Sequence, residues 1–474
     1  MVHEPAGDAV EALCASLERY ARTRIHARTV DAQKRIDRAV LADLAELGMF
    51  GLSIPEAYGG FGFSMEAICD AVATLARFDR SIATTVGLHL GLGTRGLVAF
   101  GSEAMKERWL PAIAAGARIA AFATTEPDAG SDLAAIRTRA VATGDRLRVD
   151  GTKIFVTNGG FADVFTITAA TPGLGGARRG HGLLVLERGD ANLSVGAEED
   201  KLGLRGSSTT TLALDGVEVP IDRLVGNPGE GMAQLAHVLA WGRTVMAAGC
   251  CGSAASALEK ARAHTAERRQ FGKTLDQLEV VRLQLAGMRA VHLAMDALVR
   301  AAARADEVAL AGKSGAAKVF CSEGAWEIAD MGVQLFGGSG FIEETGMPLL
   351  LRDARITRIF EGANDVLRVH LGLMEAAGTL RTGPTDTLAA EALAADVAAV
   401  RAELLSTFGI RLAAKQRALH RLGSLVVLRE ASDAVARFYP GEGAAAMWHA
   451  MARQRAAALL SSPISAETVE AALS

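Results

Sequence analysis

A chain of 474 residues, half of them hydrophobic, can bury a large core and has the length of two or three domains of a soluble globular protein. Its net charge of -4, a pI near 6.2 and the lack of any Lys/Arg stripe exclude the electrostatic footprint of nucleic-acid binding. Five scattered cysteines (Cys14, Cys69, Cys250, Cys251, Cys321) argue against a disulfide framework, and the histidines fall in no zinc-binding spacing, so no metal is expected. Met1 to Pro5 lacks a basic region leading into an apolar run, and no uncharged apolar stretch of about eighteen residues occurs. A cytoplasmic address is the default.

Residues 1 to about 120 read as helices, with apolar residues at three and four spacing in Ala39–Gly48 and Met65–Ala76, interrupted by a Pro55–Gly60 loop. From about 121 to 230 the texture changes to short alternating runs: Leu147–Val149, Ile154–Val156, Leu183–Leu186 and Leu212–Leu214, with Asp150-Gly151 and Asp215-Gly216 as turn residues. Helical periodicity returns beyond Gly231 and holds to about 378, apart from glycine-rich points such as Gly337–Gly340. Arg381–Thr387 reads as a linker, and 388–474 as an Ala-rich helical tail. The tail's apolar stripes require cover from the preceding helices or from a subunit interface. Its polar faces are not strongly basic, which favours packing over a membrane-surface helix.

Gly91-Leu-Gly93-Thr-Arg-Gly96 matches a dinucleotide-binding pattern but sits in helical text without a βαβ unit, so close helix packing or room for a ligand tail explains it better. Three polar groupings follow. Phe122 to Asp132 sets hydroxyls and glycine backbone after an apolar run, either the wall of a ring-binding site or an ordinary strand-to-turn connection. Arg268-Arg-Gln270-Phe271-Gly272 offers a guanidinium fork for phosphate oxygens, or a solvated basic turn. Gln334-Leu-Phe-Gly337-Gly338 would admit a phosphate or nucleoside close to backbone amides. Finally, Arg358-Ile-Phe-Glu361-Gly362-Ala363-Asn364-Asp365 places a carboxylate beside a glycine. Burial would raise such an acid toward neutrality, as a general base needs; a solvated Glu in a capping turn is the other reading.

Taken in order, these segments resemble the acyl-CoA dehydrogenase family, nearly continuously from the Pro55 loop to about residue 375. The family carries TEPxAGSD (here Thr125–Asp132), KxWxTNGG (Lys153–Gly160), RxQFG (Arg268–Gly272), QxxGGxG (Gln334–Gly340) and a late Glu-Gly pair (Glu361-Gly362). The resemblance implies a mainly α fold with a central β domain. It would comprise an N-terminal helical bundle (1–120), a β-barrel or sandwich domain (121–230), a C-terminal four-helix bundle (231–378), and a linker with helical extension (379–474). FAD would lie between the β domain and the second bundle and across a subunit contact.

By the same resemblance, Phe122, Thr124, Thr125, Gly130 and Ser131 would line the flavin or the thioester end of the substrate, with Phe155 and Thr157 at the ring system. Phe155 stands where the family usually has tryptophan. Arg268, Gln270 and Phe271 would meet the FAD diphosphate and adenosine, with Gln334, Gly337 and Gly338 from a neighbouring subunit. Asn364 and Asp365 would close around the cofactor, and Ala363 replaces a usual threonine. Glu361 would take the α-proton of a saturated acyl thioester while the β-hydrogen leaves as hydride to flavin N5, giving a trans-2-enoyl product. Ser131, Arg243 and Gly362 would contact the substrate. Some relatives place the base just before Arg243, where this chain has Gly242. The wording from Arg358 to Arg368 is most similar to the very-long-chain branch. That likeness implies medium- to long-chain acyl-CoA, an electron-transfer flavoprotein as acceptor, and a homodimer, with a tetramer as the alternative. An acyl carrier protein as donor and a non-catalytic flavoprotein scaffold are the rival readings. Gly242 and the glycines between 87 and 96 would deepen an acyl tunnel.

Overall fold

The computed structural model describes residues 7–176, 180–381 and 388–461. The expected linker beyond Arg381 and the end of the tail lie outside the described residues. Ahead of the first strand run α1 (Gly7–Arg24), α2 (Ala27–Gln33), α3 (Arg38–Glu46), α4 (Met65–Ala76), α5 (Arg80–Leu88), α6 (Thr94–Phe100) and α7 (Glu103–Ala114). Four of them start where a short polar side chain accepts a free backbone N–H of the first turn: Asp37 at α3, Ser64 at α4, Asp79 at α5 and Ser102 at α7. Helix α5 runs through a π-helical turn, His89–Gly93, into α6. Its glycines allow close approach: a Cβ on Gly91 would lie 3.5 Å from the Gly242 Cα, and one on Gly93 3.0 Å from the Ala120 side chain. The GxGxxG spacing therefore serves packing within the fold, against backbone at Gly91 and Gly93 and against side chains at Gly96.

The strands are β1 (Ala120–Ala123), β2 (Arg139–Thr143), β3 (Arg146–Thr157), β4 (Val164–Ala170), β5 (His181–Glu187), β6 (Leu193–Val195), β7 (Thr209–Pro220) and β8 (Leu224–Val225). They form one sheet in the order β6-β7-β3-β2-β4-β5-β8. β1 pairs parallel with the first half of β4, while β2 joins the far end of β4 at Arg139. The Asp150-Gly151 and Asp215-Gly216 pairs, expected to be turns, lie inside two continuous antiparallel strands. Asp150 is opposite Asp215 and Val149 opposite Val217, so Gly216 is the extra residue of a single bulge in β7. One face of the sheet buries Leu147, Val149, Ile167 and Leu184. On the other, Val164, Leu183 and Val185 meet Leu97, Trp109 and Leu110 of α6 and α7.

After the sheet, α8 (Gly231–Glu267) runs 37 residues, about 55 Å at 1.5 Å per residue. Its middle, Ala247–Ala254, is built of Ala, Gly, Cys and Ser and is buried throughout. Small side chains let neighbours close on every side, as at Gly252, where a Cβ would overlap the Ala73 carbonyl of α4. A hairpin of β9 (Arg269–Gln270) and β10 (Lys273–Thr274) leads to α9 (Glu279–Ala303), α10 (Glu307–Phe336), α11 (Met347–Ile356) and α12 (Asn364–Ala376).

The tail forms α13 (Leu388–Phe408), α14 (Gln416–Phe438) and α15 (Gly443–Leu460). It packs on the bundle: Trp448 is fully buried, edge-on to Phe320 at 5.0 Å. Arg429 of α14 pairs with Glu375 at 3.1 Å, and Lys313 with Glu430 at 3.2 Å. α14 crosses α12 at two glycines, Gly372 and Gly423, so closely that a Cβ on either would overlap a carbonyl of the other helix. Among the described residues no helix is long and apolar enough to cross a membrane.

Candidate active site

A cavity of about 200 Å³ lies where α4, α5, the sheet, α8 and the segment before α12 meet. Two local irregularities shape it. In β3 the pairing with β7 shifts between Lys153 and Val156, and Phe155 takes φ +56°. That bulge turns Ile154 and Phe155 out to the cavity, leaving Phe155 61 % exposed. Behind it Lys153 is fully buried, donating to Glu126 Oε1 (2.7 Å), the Thr124 carbonyl and Thr168 Oγ1. Glu126 also accepts from the amides of Arg137 and Thr138. The loop from Thr124 to Ser131 is thereby tied to the sheet, and Gly130 and Ser131 stand exposed at the cavity's edge.

The second irregularity carries the acid. Between α11 and α12 the chain turns through Glu361 at φ +56° and Gly362 at φ +101°, the left-handed region where a non-glycine residue is uncommon. Three bonds hold the turn: Arg243 Nε donates to the Glu361 carbonyl (3.0 Å), Lys318 Nζ to the Gly362 carbonyl (2.7 Å), and the Asn364 amide to the Arg358 carbonyl (3.1 Å). The Glu361 carboxyl faces the cavity with Oε2 buried and without a hydrogen-bond partner. Desolvation pushes its pKa up to about 7, against the opposing pull of the Arg243, Lys318 and Arg80 cations. Gly242 lies directly across: a Cβ there would stand 3.1 Å from Glu361 Oε2 and overlap Leu92.

Phe122, Thr124, Thr125, Gly130, Ser131, Phe155, Thr157, Arg243, Glu361 and Gly362 all line this one cavity. Asn364 does not. It is buried behind the turn, its Oδ1 accepting from Lys318 (2.7 Å) and its Nδ2 donating to Ser322 and Glu323. Asp365 is exposed, 3.1 Å from His420 of the tail, and Ala363 caps α12. Arg268, Gln270, Phe271, Gln334, Gly337 and Gly338 form a separate exposed group at the ends of α8 and α10, which a stack of His264 on Phe336 (4.1 Å) draws together. Asp353 also stays outside the cavity; buried and raised to about 7 by desolvation, it accepts the Leu204 amide at 2.6 Å. Of the glycines between 87 and 96, Gly87 lines the cavity, whereas Gly91 and Gly93 pack against backbone and Gly96 against the side chains of Leu183, Thr166 and Val238.

Sequence reasoning missed Arg80 and Lys318. Arg80 lines the cavity while 4 % exposed, and Lys318 is the fully buried clamp beneath the Glu361 turn. A lone lysine inside the apolar run Ala316–Cys321 was the available signal for the latter, since a solitary charge on a buried helix face demands partners.

Fold and site together define a class: proteins in which a helical bundle, a sheet and a second bundle enclose an acid-bearing cavity. The acyl-CoA dehydrogenase complexed with FAD from Bacillus anthracis has this architecture, with a TM-score of 0.85 at 26 % identity over 97 % of this chain and 88 % of that one. Butyryl-CoA dehydrogenase from Megasphaera elsdenii shares it at a TM-score of 0.75 and 30 % identity, over 80 % of this chain and all of that one. The chain belongs to the acyl-CoA dehydrogenase family. Models of the family's N-terminal, middle and C-terminal domains match residues 7–117, 121–217 and 229–373. The mitochondrial very long-chain specific acyl-CoA dehydrogenase of Mus musculus is 36 % identical over 352 residues, 72 % of this chain and 54 % of that protein. The probable acyl-CoA dehydrogenase FadE25 of Mycobacterium tuberculosis is 38 % identical over 347 residues, 73 % of this chain and 89 % of the relative. The chain thus spans about half the length of the very long-chain relatives it matches.

Proposed function

We propose that this protein is an FAD-dependent dehydrogenase that introduces the α,β double bond into medium- to long-chain acyl-CoA, with Glu361 as the base. The observation that carries the proposal is the Glu361 carboxyl: in the cavity, with a buried Oε2 free of hydrogen bonds and a pKa raised to about 7, matched to proton transfer near neutrality. The wall opposite suits a flavin. Phe155 offers an exposed ring, Ser131 and Thr157 offer hydroxyls, and at Gly130 nothing stands within 4 Å of where a Cβ would be. When bound, FAD would supply the acceptor for the β-hydride.

The chain's own residues do the rest. Arg243 and Lys318 fix the main chain of the acid from both sides, so the carboxyl stays aimed while it gains a proton. Burial keeps water from the reacting carbon, and by raising the pKa of Glu361 it makes the ionised carboxylate a stronger base toward the α-proton. The α-proton is too weakly acidic for any carboxylate unless the thioester oxygen is stabilised as charge grows on it. The exposed group of Arg268, Gln270, Phe271, Gln334, Gly337 and Gly338 supports a second subunit completing the cofactor site, and hence a homodimer. For the acceptor that reoxidises the flavin, we propose an electron-transfer flavoprotein.

The test is an anaerobic titration of the purified protein with butyryl-, octanoyl- and palmitoyl-CoA, following the oxidised flavin band. Bleaching is expected in the wild type. Glu361→Gln should retain FAD and lose bleaching by at least about a thousandfold in rate, the order of a missing proton-transfer group or more. Undiminished bleaching in that variant would remove Glu361 from the mechanism.

A further inference from the structure

The cavity wall made by α4 and α5 carries a charge that a hydrocarbon substrate does not explain. Arg80 is 4 % exposed and lines the cavity with Val72, Ala83, Thr84 and Gly87. Its guanidinium fills the space left by Gly249, where any Cβ would overlap it. Its hydrogen bonds are one to the Met246 carbonyl (3.1 Å) and a long one to Cys250 Sγ (3.7 Å), and Nε is buried with no partner at all. Among the described residues no carboxylate lies within ion-pair distance of it; Glu361 and Asp353 feel it only through space. One turn along α5, the Thr84 hydroxyl is likewise buried without a partner. An uncompensated buried cation is costly, and one with free donors at a cavity surface is the complement of an anion.

Its place in the cavity says which anion. Helix α8 runs past both groups: Gly242 faces the Glu361 carboxyl, and Met246 and Gly249 face Arg80. At 1.5 Å per residue the guanidinium lies roughly 6–10 Å along the helix from the acid. Val245, Met246, Leu367 and Ala83 line the cavity with them. A chain with its α-carbon at Glu361, extended along α8, reaches Arg80 with its far end. A terminal methyl arriving there would strip water from the guanidinium and return nothing.

We propose that the acyl thioester taken by this cavity ends in a carboxylate, received by Arg80 with the Thr84 hydroxyl beside it. This rests on the dehydrogenase reading and narrows its substrate to ω-carboxyacyl thioesters of medium length.

The experiment compares succinyl-, glutaryl-, adipoyl- and suberoyl-CoA with their methyl-ended counterparts of equal length, by calorimetric binding to the purified flavoprotein and separately by anaerobic flavin bleaching. Wild type is expected to bind at least one carboxylate-ended ligand tenfold or more tighter than its methyl-ended partner, and Arg80→Met to lose that preference while binding the methyl-ended series at least as tightly as wild type. Should Arg80→Met not fold, Thr84→Val takes its place and is expected to shrink the preference several-fold. Equal binding of the two series by wild type at every length overturns the proposal, as does a preference that survives the substitution. The two readings fail separately. A carboxylate preference in binding without bleaching by either series upholds the role of Arg80 and sinks the dehydrogenase; bleaching by the methyl-ended series without any preference does the reverse.

Discussion

Glu361 occupies a left-handed backbone conformation, φ +56°, that costs of order 1 kcal/mol or more for a non-glycine residue, and it is held there by two cations that bind carbonyls rather than its carboxyl. The charge state therefore stays free to change. Because the base works ionised, flavin reduction at saturating acyl-CoA is expected to rise with pH through about 7 and level off above, measurable by stopped-flow bleaching. Stability runs the other way. A carboxyl raised from 4.5 to about 7 binds more protons folded than unfolded, so its contribution is complete below 4.5 and is lost as pH climbs through 7. Glu361→Gln should accordingly exceed wild type by roughly 1–3 kcal/mol in chemical denaturation at pH 8 and by little at pH 5. Lys318→Met leaves the Gly362 carbonyl without its donor and the Asn364 Oδ1 with Ser322 alone. It is expected to cost about 1–3 kcal/mol for the orphaned carbonyl and, with a cation gone, to move the pH midpoint of flavin reduction upward. The Glu-Gly pair was legible in the sequence, because an acid beside a glycine between apolar residues is unusual text. Arg80 was not: behind Asp79 at a helix start it reads as a solvated first turn, and only the packing of α8 against it shows otherwise.

At the scale of elements, helices α3 and α4 could be read from three- and four-residue spacing, whereas the strands could be found but not delimited. The Asp-Gly pairs at 150 and 215 carry every local mark of a turn. What keeps them within strands, with one bulge at Gly216, is that β3 and β7 pair along their whole length, a relation between residues some sixty positions apart that no local pattern encodes. Gly151, opposite Leu214, is tight: at φ +153° a Cβ would overlap the Thr138 hydroxyl. Gly151→Ala is expected to destabilise by about 1–3 kcal/mol. Gly189→Ala, where nothing lies within 4 Å and the backbone is ordinary, should change the thermal midpoint little. The glycines from 87 to 96 divide for the same reason. Spacing shows that side chains are absent, and the three-dimensional neighbours decide whether ligand or protein takes the room.

Across the whole molecule, the tail's need for cover was evident from its apolar stripes, but its partner was not, since α14 meets α12 most closely through two bare backbones, and the pairs Arg429–Glu375 and His420–Asp365 that flank the crossing join residues more than fifty positions apart. That crossing couples the tail to the site: α12 begins at Asn364, directly behind the Glu361 turn, and α14 closes on it at Gly372 and Gly423. Gly423→Val is expected to cost at least 1–3 kcal/mol by forcing the helices apart and to lower the rate of flavin bleaching, although residue 423 lines no part of the cavity. Thermal melts and bleaching rates on one preparation check both. The same crossing sets a timetable for biosynthesis. The cavity walls leave the ribosome early, the acid follows at residue 361, and the helix that clamps it is complete only at Phe438. At about 5–20 residues per second the acid waits roughly 4–15 s for its clamp. During that interval the nascent chain carries α12 with the backbone at Gly372 uncovered, a surface open to chaperones until α14 is made.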